Sequence, residues 1–407
     1  KEALPGGLRF FLALLIGAAY AALVGFVVGM TAAFLIYLWI VDELTFEDFN
    51  KNGDYIYRVI REEQSAKGQV PSTVTPLSEV FRKNFSKVEN ATFIKYGGKY
   101  DIYAGDVGVE ANYGYVDTTF FDVFSFPVVA GDPFLLKKDP QMVVLSEAIA
   151  EKLFGKTSAI GKEVTCKFNK KYYKVAAVLK VPRKSHIQFE VLASWDSYLW
   201  DEIKDELWGF SERMHVFIQL KKGTSLTDAD RLAMRDLWVK HSQWGKPLAF
   251  QPLKDIHLRT AFKEPNDVYN HGNMQQIYLF AALAALIIFM GAFNFMTLST
   301  ARASLRSKEI GVRKVNGAKR KKLITQFLSE SLVQAFISLL LALALTELLL
   351  PFFNMFVEKD ITLQFNWQTL LFVLFGIVGV GCLAGSFSAF YMSSFSPLLA
   401  FKGGQAS

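Results

Sequence analysis

The sequence predicts an α-helical membrane domain with four transmembrane helices and an α+β extracytoplasmic domain of two lobes. Two observations carry this prediction. Apolar residues make up 51% of the 407 residues, and they are concentrated in four long runs. The residues between the first two runs, 42–276, instead alternate the patterns of strands and helices. About 20 apolar residues in a helix suffice to cross the hydrocarbon core of a bilayer, and each run is long enough.

The first apolar run lies within residues 1–41, which hold a short N-terminus and the first predicted helix. Phe10–Val41 is 32 residues long and contains no charged side chain. A cleaved signal peptide has an apolar core of only ~7–15 residues, so this run is interpreted as a membrane anchor. The remaining transmembrane helices are predicted at residues 277–301, 323–350 and 367–392.

The distribution of charge predicts the orientation of the chain. Residues 42–276 contain 32 basic and 32 acidic side chains, whereas residues 302–322 contain nine basic side chains against Glu309 alone. Basic loops stay on the cytoplasmic side of a membrane. Residues 302–322, the N-terminus and residues 393–407 are therefore predicted to be cytoplasmic, and 42–276 and the short loop 351–366 lie outside. Because the net charge of +7 resides in one membrane-flanked loop, nucleic-acid binding is disfavoured.

Residues 42–276 show capping and turn patterns of a folded α+β domain. Ser146 can cap a helix that Gly155 ends. Residues 163–168 and 171–179 flank a turn and predict a hairpin. Met214–Leu220 predicts a strand, and a helix is predicted over 227–241.

No catalytic or metal-binding pattern emerges from the sequence. Gly155-Lys156-Thr157 resembles the end of a phosphate-binding loop, but Ala150 stands where that motif needs glycine. The five histidines lack metal-ligand spacing and are interpreted as isolated surface or cleft residues. We expect a non-catalytic chain with no metal and no cofactor of its own.

Small residues recur every fourth position along the first predicted helix. Such residues let helix backbones approach closely in lipid. The stripe is interpreted as a helix-packing or dimer surface, and packing within one subunit and between subunits are both open. Its members are Gly17, Ala21, Gly25, Gly29 and Ala33.

Two polar side chains are predicted to lie within the membrane near the basic segment. Asn294 is near the inner end of the second predicted helix, and Glu330 is near the start of the third. Intramembrane polar groups are functional candidates by default. For Glu330 we favour a structural ion pair with the basic segment over a proton-relay role.

The basic segment also carries apolar residues at positions typical of a short helix lying along the membrane surface. Its central part reads Lys308-Glu309-Ile310-Gly311-Val312-Arg313-Lys314-Val315-Asn316-Gly317-Ala318. This segment is similar to the coupling segment of the FtsX/MacB-type permease family of ABC transporters. Weaker similarities to that family occur at Asn294–Ala301, Val144–Gly155, Ser185–Phe189 and Phe395–Leu398. The resemblance is nearest to permeases of Bacteroidetes.

The resemblance implies a partner for the basic segment. A separate cytoplasmic ABC ATPase, with ATP and Mg in that partner chain, would dock on a coupling helix in 302–322. The implied docking residues are Arg306, Lys308, Glu309, Ile310, Val312, Arg313, Lys314, Val315, Gly317 and Ala318. A second permease subunit, identical or different, would complete the membrane assembly. A periplasmic adaptor or an outer-membrane channel is a further implied partner.

The family likeness also implies a location and a function. The chain is expected to be a multi-pass protein of the bacterial inner membrane, with cytoplasmic termini and residues 42–276 as a periplasmic MacB-like core domain. Its expected function is to transmit ATP-driven motion to that domain, for efflux or for handling an envelope substrate. The alternative is an envelope sensor or regulator that does not transport, such as one controlling cell-wall hydrolases or a ligand-sensing membrane receptor.

Overall fold

The computed structural model describes residues 6–63, 68–198, 208, 214–241, 247–260, 271–305, 312, 320–363, 367, 369–371, 373–374, 376, 379 and 386. The chain divides into two compact units. We call Leu44–Met274 the extramembrane unit. Lys1–Glu43 together with Gln275–Ser407 form the membrane unit.

The elements alternate between helices and strands only within the extramembrane unit. The described helices are α1 (Gly6–Leu44), α2 (Pro76–Asn84), α3 (Phe120–Val123), α4 (Glu147–Phe154), α5 (Trp195–Tyr198), α6 (Asp228–His241), α7 (Asp255–Arg259), α8 (Met274–Leu305) and α9 (Arg320–Val357). The strands are β1 (Ile56–Glu63), β2 (Gly68–Val70), β3 (Val88–Ala104), β4 (Val107–Val116), β5 (Val128–Gly131), β6 (Met142–Ser146), β7 (Glu163–Cys166), β8 (Lys171–Leu179), β9 (Val191–Ser194), β10 (Met214–Leu220) and β11 (Leu248–Pro252).

Among the described residues, three helical segments are long and apolar enough to cross a membrane. They are Val24–Leu44 of α1, Met274–Thr297 of α8 and Lys321–Val357 of α9. The fourth predicted span, 367–392, falls mostly outside the residues described.

The third membrane helix is longer than the sequence indicated. The sequence predicts its end at residue 350, before a proline, but α9 continues through Pro351 to Val357. Proline removes one helical hydrogen bond, and membrane helices tolerate this loss because neighbouring groups satisfy the freed carbonyl. Residues 351–357 are therefore helical and not part of the loop.

The described strands of the extramembrane unit form one sheet of 11 strands. Its main path runs β11-β1-β10-β3-β4-β9-β6-β8-β5, while β2 pairs with β1, and β7 pairs with β3 and β8. Strand pairing is antiparallel except at β4–β9 and β6–β8. The predicted division into two lobes stays a prediction; in the described residues the 17-residue β3 pairs along its length with β10, β4 and β7 and joins the strands into one sheet.

Both faces of this sheet are covered, so its central strands are apolar on both sides. Every residue of β10 is buried. Successive strand residues point to opposite faces, and β10 accordingly contributes Val216 and Ile218 to one core but Phe217 to the other. The first core includes Phe81 of α2 and Trp238 of α6. The second is rich in phenylalanines, including Phe120, Phe124, Phe126 and Phe189.

Several local predictions are confirmed. Ser146 Oγ accepts a hydrogen bond from the backbone N–H of Ile149 and so caps α4. Gly155 ends this helix with a φ of +59°, a conformation that favours glycine. The predicted hairpin forms between β7 and β8, with Cys166 opposite Lys171.

Candidate functional site

The predicted docking residues for an ATPase lie almost entirely outside the described residues. These are Arg306, Lys308, Glu309, Ile310, Arg313, Lys314, Val315, Gly317 and Ala318. Val312 is described; it is helical and 48% exposed. On either side of the undescribed residues, α8 is described to Leu305 and α9 from Arg320.

The small-residue stripe of α1 faces α8 of the same chain at two of its positions. A Cβ atom at Gly25 would lie 3.2 Å from Asn294 Nδ2, and one at Gly29 would lie 3.6 Å from Ile287 Cγ2. Ala33 is buried. Gly17 and Ala21 lie in α1, but their surroundings are outside the description. A role of the stripe in dimerisation stays a prediction.

The two predicted intramembrane polar residues lie on different helices. Asn294 lies on α8, beside Gly25 of α1. Glu330 lies on α9, where its Oε1 accepts a hydrogen bond from Gln326 Nε2 at 3.1 Å. The predicted ion pair of Glu330 with the basic segment stays a prediction.

The extramembrane end of α9 forms a tight corner that sequence reasoning missed. Glu358 follows the helix with a φ of +54°, and the Lys359 N–H donates to the Asn354 carbonyl at 3.0 Å. The Asn354 side chain then holds Ile361 twice, because it donates to the Ile361 carbonyl at 2.8 Å and accepts from its N–H at 3.1 Å. These bonds fix the backbone on both sides of Lys359.

Lys359 binds two carboxylates at the end of α1. Its Nζ lies 2.8 Å from Asp42 Oδ2 and also donates to Glu43 Oε1. The same ammonium lies 5.8 Å from the centre of the Trp39 ring, within range of a cation–π contact. The Lys359 side chain is 20% exposed and the Glu43 side chain 9%. This mostly buried ion pair therefore joins the ends of α1 and α9.

Within the extramembrane unit, the chain that follows α1 is held by a buried carboxylate. Oε1 of Glu47 accepts a hydrogen bond from the His186 N–H at 2.5 Å and lies 2.8 Å from His186 Nδ1. Oε2 accepts from Asn50 Nδ2 at 2.7 Å. Glu47 is 1% exposed and His186 3% exposed. Glu47 also has a φ of +64°, which is unusual for a residue other than glycine.

Further contacts hold the same segment. Lys254 Nζ lies 2.9 Å from Asp54 and 3.1 Å from Asp48. The hydrogen bond to Asp54 raises the pKa of Lys254 above its ordinary value despite the opposing effect of burial. Phe46 stacks on the His257 ring, with 3.5 Å between the centroids. We call residues 45–55, together with these partners, the entry segment.

Sequence reasoning described the histidines as isolated surface or cleft residues, and for three of them the structure corrects this. His186, His215 and His257 are buried. Their partners lie far away in sequence, as Glu47 does from His186, so no spacing pattern could reveal the contact. A weak signal did exist at Lys359, a lysine between two acids just beyond an apolar helix.

One carboxyl group of the extramembrane unit titrates in an unusual range. Asp117 follows β4, and its Oδ1 accepts hydrogen bonds from Thr92 Oγ1 and from the Thr119 N–H. These bonds favour the charged form, yet burial outweighs them and raises the pKa of Asp117 to about 6.

The geometry of two units, one of long apolar helices and one sheet-based, agrees with two family matches. Residues 20–234 match the model of the MacB-like periplasmic core domain, and residues 281–397 match the FtsX-like permease C-terminal. The first match alone covers more than half of the chain. The chain belongs to the MacB/FtsX-like permease family.

Curated relatives share the family at low identity. A macrolide export ATP-binding/permease protein MacB of Neisseria gonorrhoeae is 24% identical over 286 residues, which cover 70% of this chain and 42% of the relative. A MacB 1 protein of Yersinia pestis is 25% identical over 295 residues, covering 69% and 43%. The chain thus spans less than half the length of these relatives.

Solved structures of related regions are also similar to this permease. The periplasmic region of MacB from Actinobacillus actinomycetemcomitans is 15% identical and gives a TM-score of 0.38, covering 50% of this chain and 91% of that one. The extracellular domain of the noncanonic ABC-type transporter YknZ gives a TM-score of 0.35 at 15% identity, covering 48% and 99%.

Family membership gives the chain an ABC-type permease role. The periplasmic core match covers part of α1 and most of the extramembrane unit, and the permease match covers most of α8 and all of α9. The family's permease component is itself non-catalytic.

Proposed function

We propose that this permease transmits ATP-driven motion from a separate cytoplasmic ABC ATPase to its periplasmic domain. The ATPase, carrying ATP and Mg, would dock on the basic segment 302–322, and a second permease subunit would complete the assembly. The named relatives in Neisseria and Yersinia are macrolide export proteins. Efflux or the handling of an envelope substrate is the corresponding role here, with a periplasmic adaptor or outer-membrane channel as a further partner.

The observation that carries this proposal is the continuity of α9. The helix begins at Arg320, inside the basic segment, and runs for 38 residues to Val357. At ~1.5 Å per residue it is about 57 Å long. A displacement of its basic end is therefore passed on to its far end, because a hydrogen-bonded helix is stiff along its axis.

Two buried threonines of the described membrane helices support motion over passage of a polar substrate between these helices. Thr31 of α1 donates to the carbonyl of Val27 at 2.8 Å, and Thr346 of α9 donates to that of Ala342 at 2.7 Å. Each hydroxyl thus satisfies a carbonyl of its own helix. Side chains lining a hydrophilic path would instead present their polar groups to it.

Co-purification tests the docking step. The tagged chain should recover an ABC ATPase from membranes of its host, and reversing two charges by Arg313→Glu with Lys314→Glu should reduce the recovered ATPase at least about fivefold. Reversing these charges would place like charges opposite each other across the interface with the ATPase, and such contacts weaken association strongly.

A matched control reverses the same number of charges elsewhere. Lys221 and Lys222 are exposed in the extramembrane unit, and Lys221→Glu with Lys222→Glu should leave ATPase recovery unchanged. Equal recovery with both double variants would remove the docking assignment. Failure of the unaltered chain to recover any ABC ATPase would remove the proposed function.

A further inference from the structure

The extramembrane ends of α1 and α9 are held together by two kinds of contact. Apolar side chains pack there, with Phe34 and Leu38 of α1 against Leu350 and Ile361. In lipid, such packing has no hydrophobic driving force behind it and rests on van der Waals contacts, which have little directional preference. The ion pairs of Lys359 with Asp42 and Glu43 are directional, and they oppose sliding along the helix axis.

Lys359 itself is rigidly placed. The Lys359 N–H is bonded to Asn354, and the Asn354 side chain closes the turn onto Ile361, which is 5% exposed. A movement of the end of α9 therefore carries the Lys359 ammonium with it. The flexible part is only the lysine side chain, and Trp39 lies within 5.8 Å of its charge.

The chain between the end of α1 and the anchored Glu47 is short. Three residues, Leu44, Thr45 and Phe46, separate Glu43 from Glu47, which is anchored to His186 within the extramembrane unit. Four residue steps span at most about 14 Å even when fully extended. None of the three residues is glycine, and α1 remains helical to Leu44.

We propose that Lys359 is a positioning residue of the transport cycle: its ion pairs with Asp42 and Glu43 pass the displacement of α9 to α1, and through α1 to the entry segment. This inference rests on the proposed function and names the contact by which motion leaves α9. Without the ion pairs, α9 would still move with the ATPase, but α1 would not follow in register.

The experiment uses the full chain in lipid nanodiscs with the ABC ATPase that co-purifies with it. Nitroxide labels replace exposed Lys222 of the extramembrane unit and exposed Met290 of α8, a helix that is neither α1 nor α9, in a background without Cys166 and Cys382. The distance between the labels is measured without nucleotide and with ATP and Mg. Lys359→Met, which keeps side-chain length but removes the charge, should reduce the ATP-dependent distance change at least about twofold.

The control variants separate positioning from a general structural effect. Lys359→Arg keeps the charge and should retain the distance change. Lys137→Met removes a lysine–aspartate pair of 2.5 Å on the extramembrane unit and should also retain it. All three variants should bind the ATPase and hydrolyse ATP within about twofold of the unaltered complex, because the basic segment is untouched.

An unchanged ATP-dependent distance in Lys359→Met would overturn the inference while leaving the proposed function standing. The absence of an ATP-dependent distance change in the unaltered complex would instead contradict the proposed function. If Lys359→Met does not accumulate in membranes, the double variant Asp42→Asn with Glu43→Gln replaces it. That variant keeps side-chain size and hydrogen bonding, and full movement in it would equally overturn the inference.

Discussion

Glu47→Ala is the substitution that most directly tests how the entry segment is held. Alanine removes both carboxylate oxygens that bind His186 and Asn50. The His186 N–H and the Asn50 amide then stay in a buried place without their acceptor. Each buried polar group that loses its partner costs about 1–3 kcal/mol. Glu47 loses three polar contacts at once, so we expect Glu47→Ala to cost about 3–4 kcal/mol.

The backbone conformation of Glu47 predicts a difference between its replacement by alanine and by glycine. Its φ of +64° strains alanine as much as glutamate, whereas glycine adopts this conformation freely. Glu47→Gly should therefore be less destabilising than Glu47→Ala by about 1 kcal/mol, although both lose the same hydrogen bonds. For a unit of this size, 1 kcal/mol corresponds to about 2–4 °C in the midpoint of unfolding. We expect Glu47→Ala to lower that midpoint by about 10 °C.

Thermal unfolding of the full chain in detergent, followed by tryptophan fluorescence, measures this effect. Trp195 and Trp238 are buried in the extramembrane unit and report its unfolding. Glu110→Ala is the matched control, because Glu110 is 63% exposed and lies 3.9 Å from Lys99. Such a surface pair is worth at most about 1 kcal/mol. Equal midpoints for Glu47→Ala and Glu110→Ala would refute the argument that Glu47 fixes the entry segment.

Two further predictions concern the sheet. Burial raises the pKa of Asp117 to about 6, so the native state binds a proton more tightly than the unfolded chain, and this group's contribution to stability falls as pH rises from about 4 to 6. Urea titrations of the full chain at several pH values measure this. Between pH 4 and pH 7, the free energy of unfolding of Asp117→Asn should rise by about 2–3 kcal/mol relative to that of the unaltered protein. A difference between the two proteins that does not depend on pH would contradict this. Gly131→Ala should cost about 2–4 kcal/mol, because its Cβ would lie 2.2 Å from the Ala176 carbonyl at a φ of +80°. Gly105→Ala shares a positive φ but meets open space, so it should cost only about 1 kcal/mol, and equal thermal midpoints for the two variants would exclude the steric argument.

Sequence reasoning succeeded where a local pattern determines the structure. The hairpin of β7 and β8, the strand β10 and the cap at Ser146 depend on residues a few positions apart. Sequence reasoning failed where contacts between residues far apart in the sequence determine the structure. The single sheet depends on how far β3 extends, and nothing in the local pattern of residues 88–104 predicts 17 residues of continuous strand. The partners Glu47 and His186 are 139 positions apart, as are Thr45 and Lys184.

Which contacts can transmit force depends on how seldom they open. A contact worth about 3 kcal/mol is open less than about 1% of the time, since every 1.4 kcal/mol changes an equilibrium tenfold. A surface pair worth about 0.5 kcal/mol is open roughly a third of the time. Lys99 and Glu110, at 3.9 Å and mostly exposed, are therefore unsuited to carry motion. Glu47, at 1% exposure with three polar contacts, belongs to the first class, so under the proposed transmission it keeps the entry segment attached to His186 while the end of α1 moves.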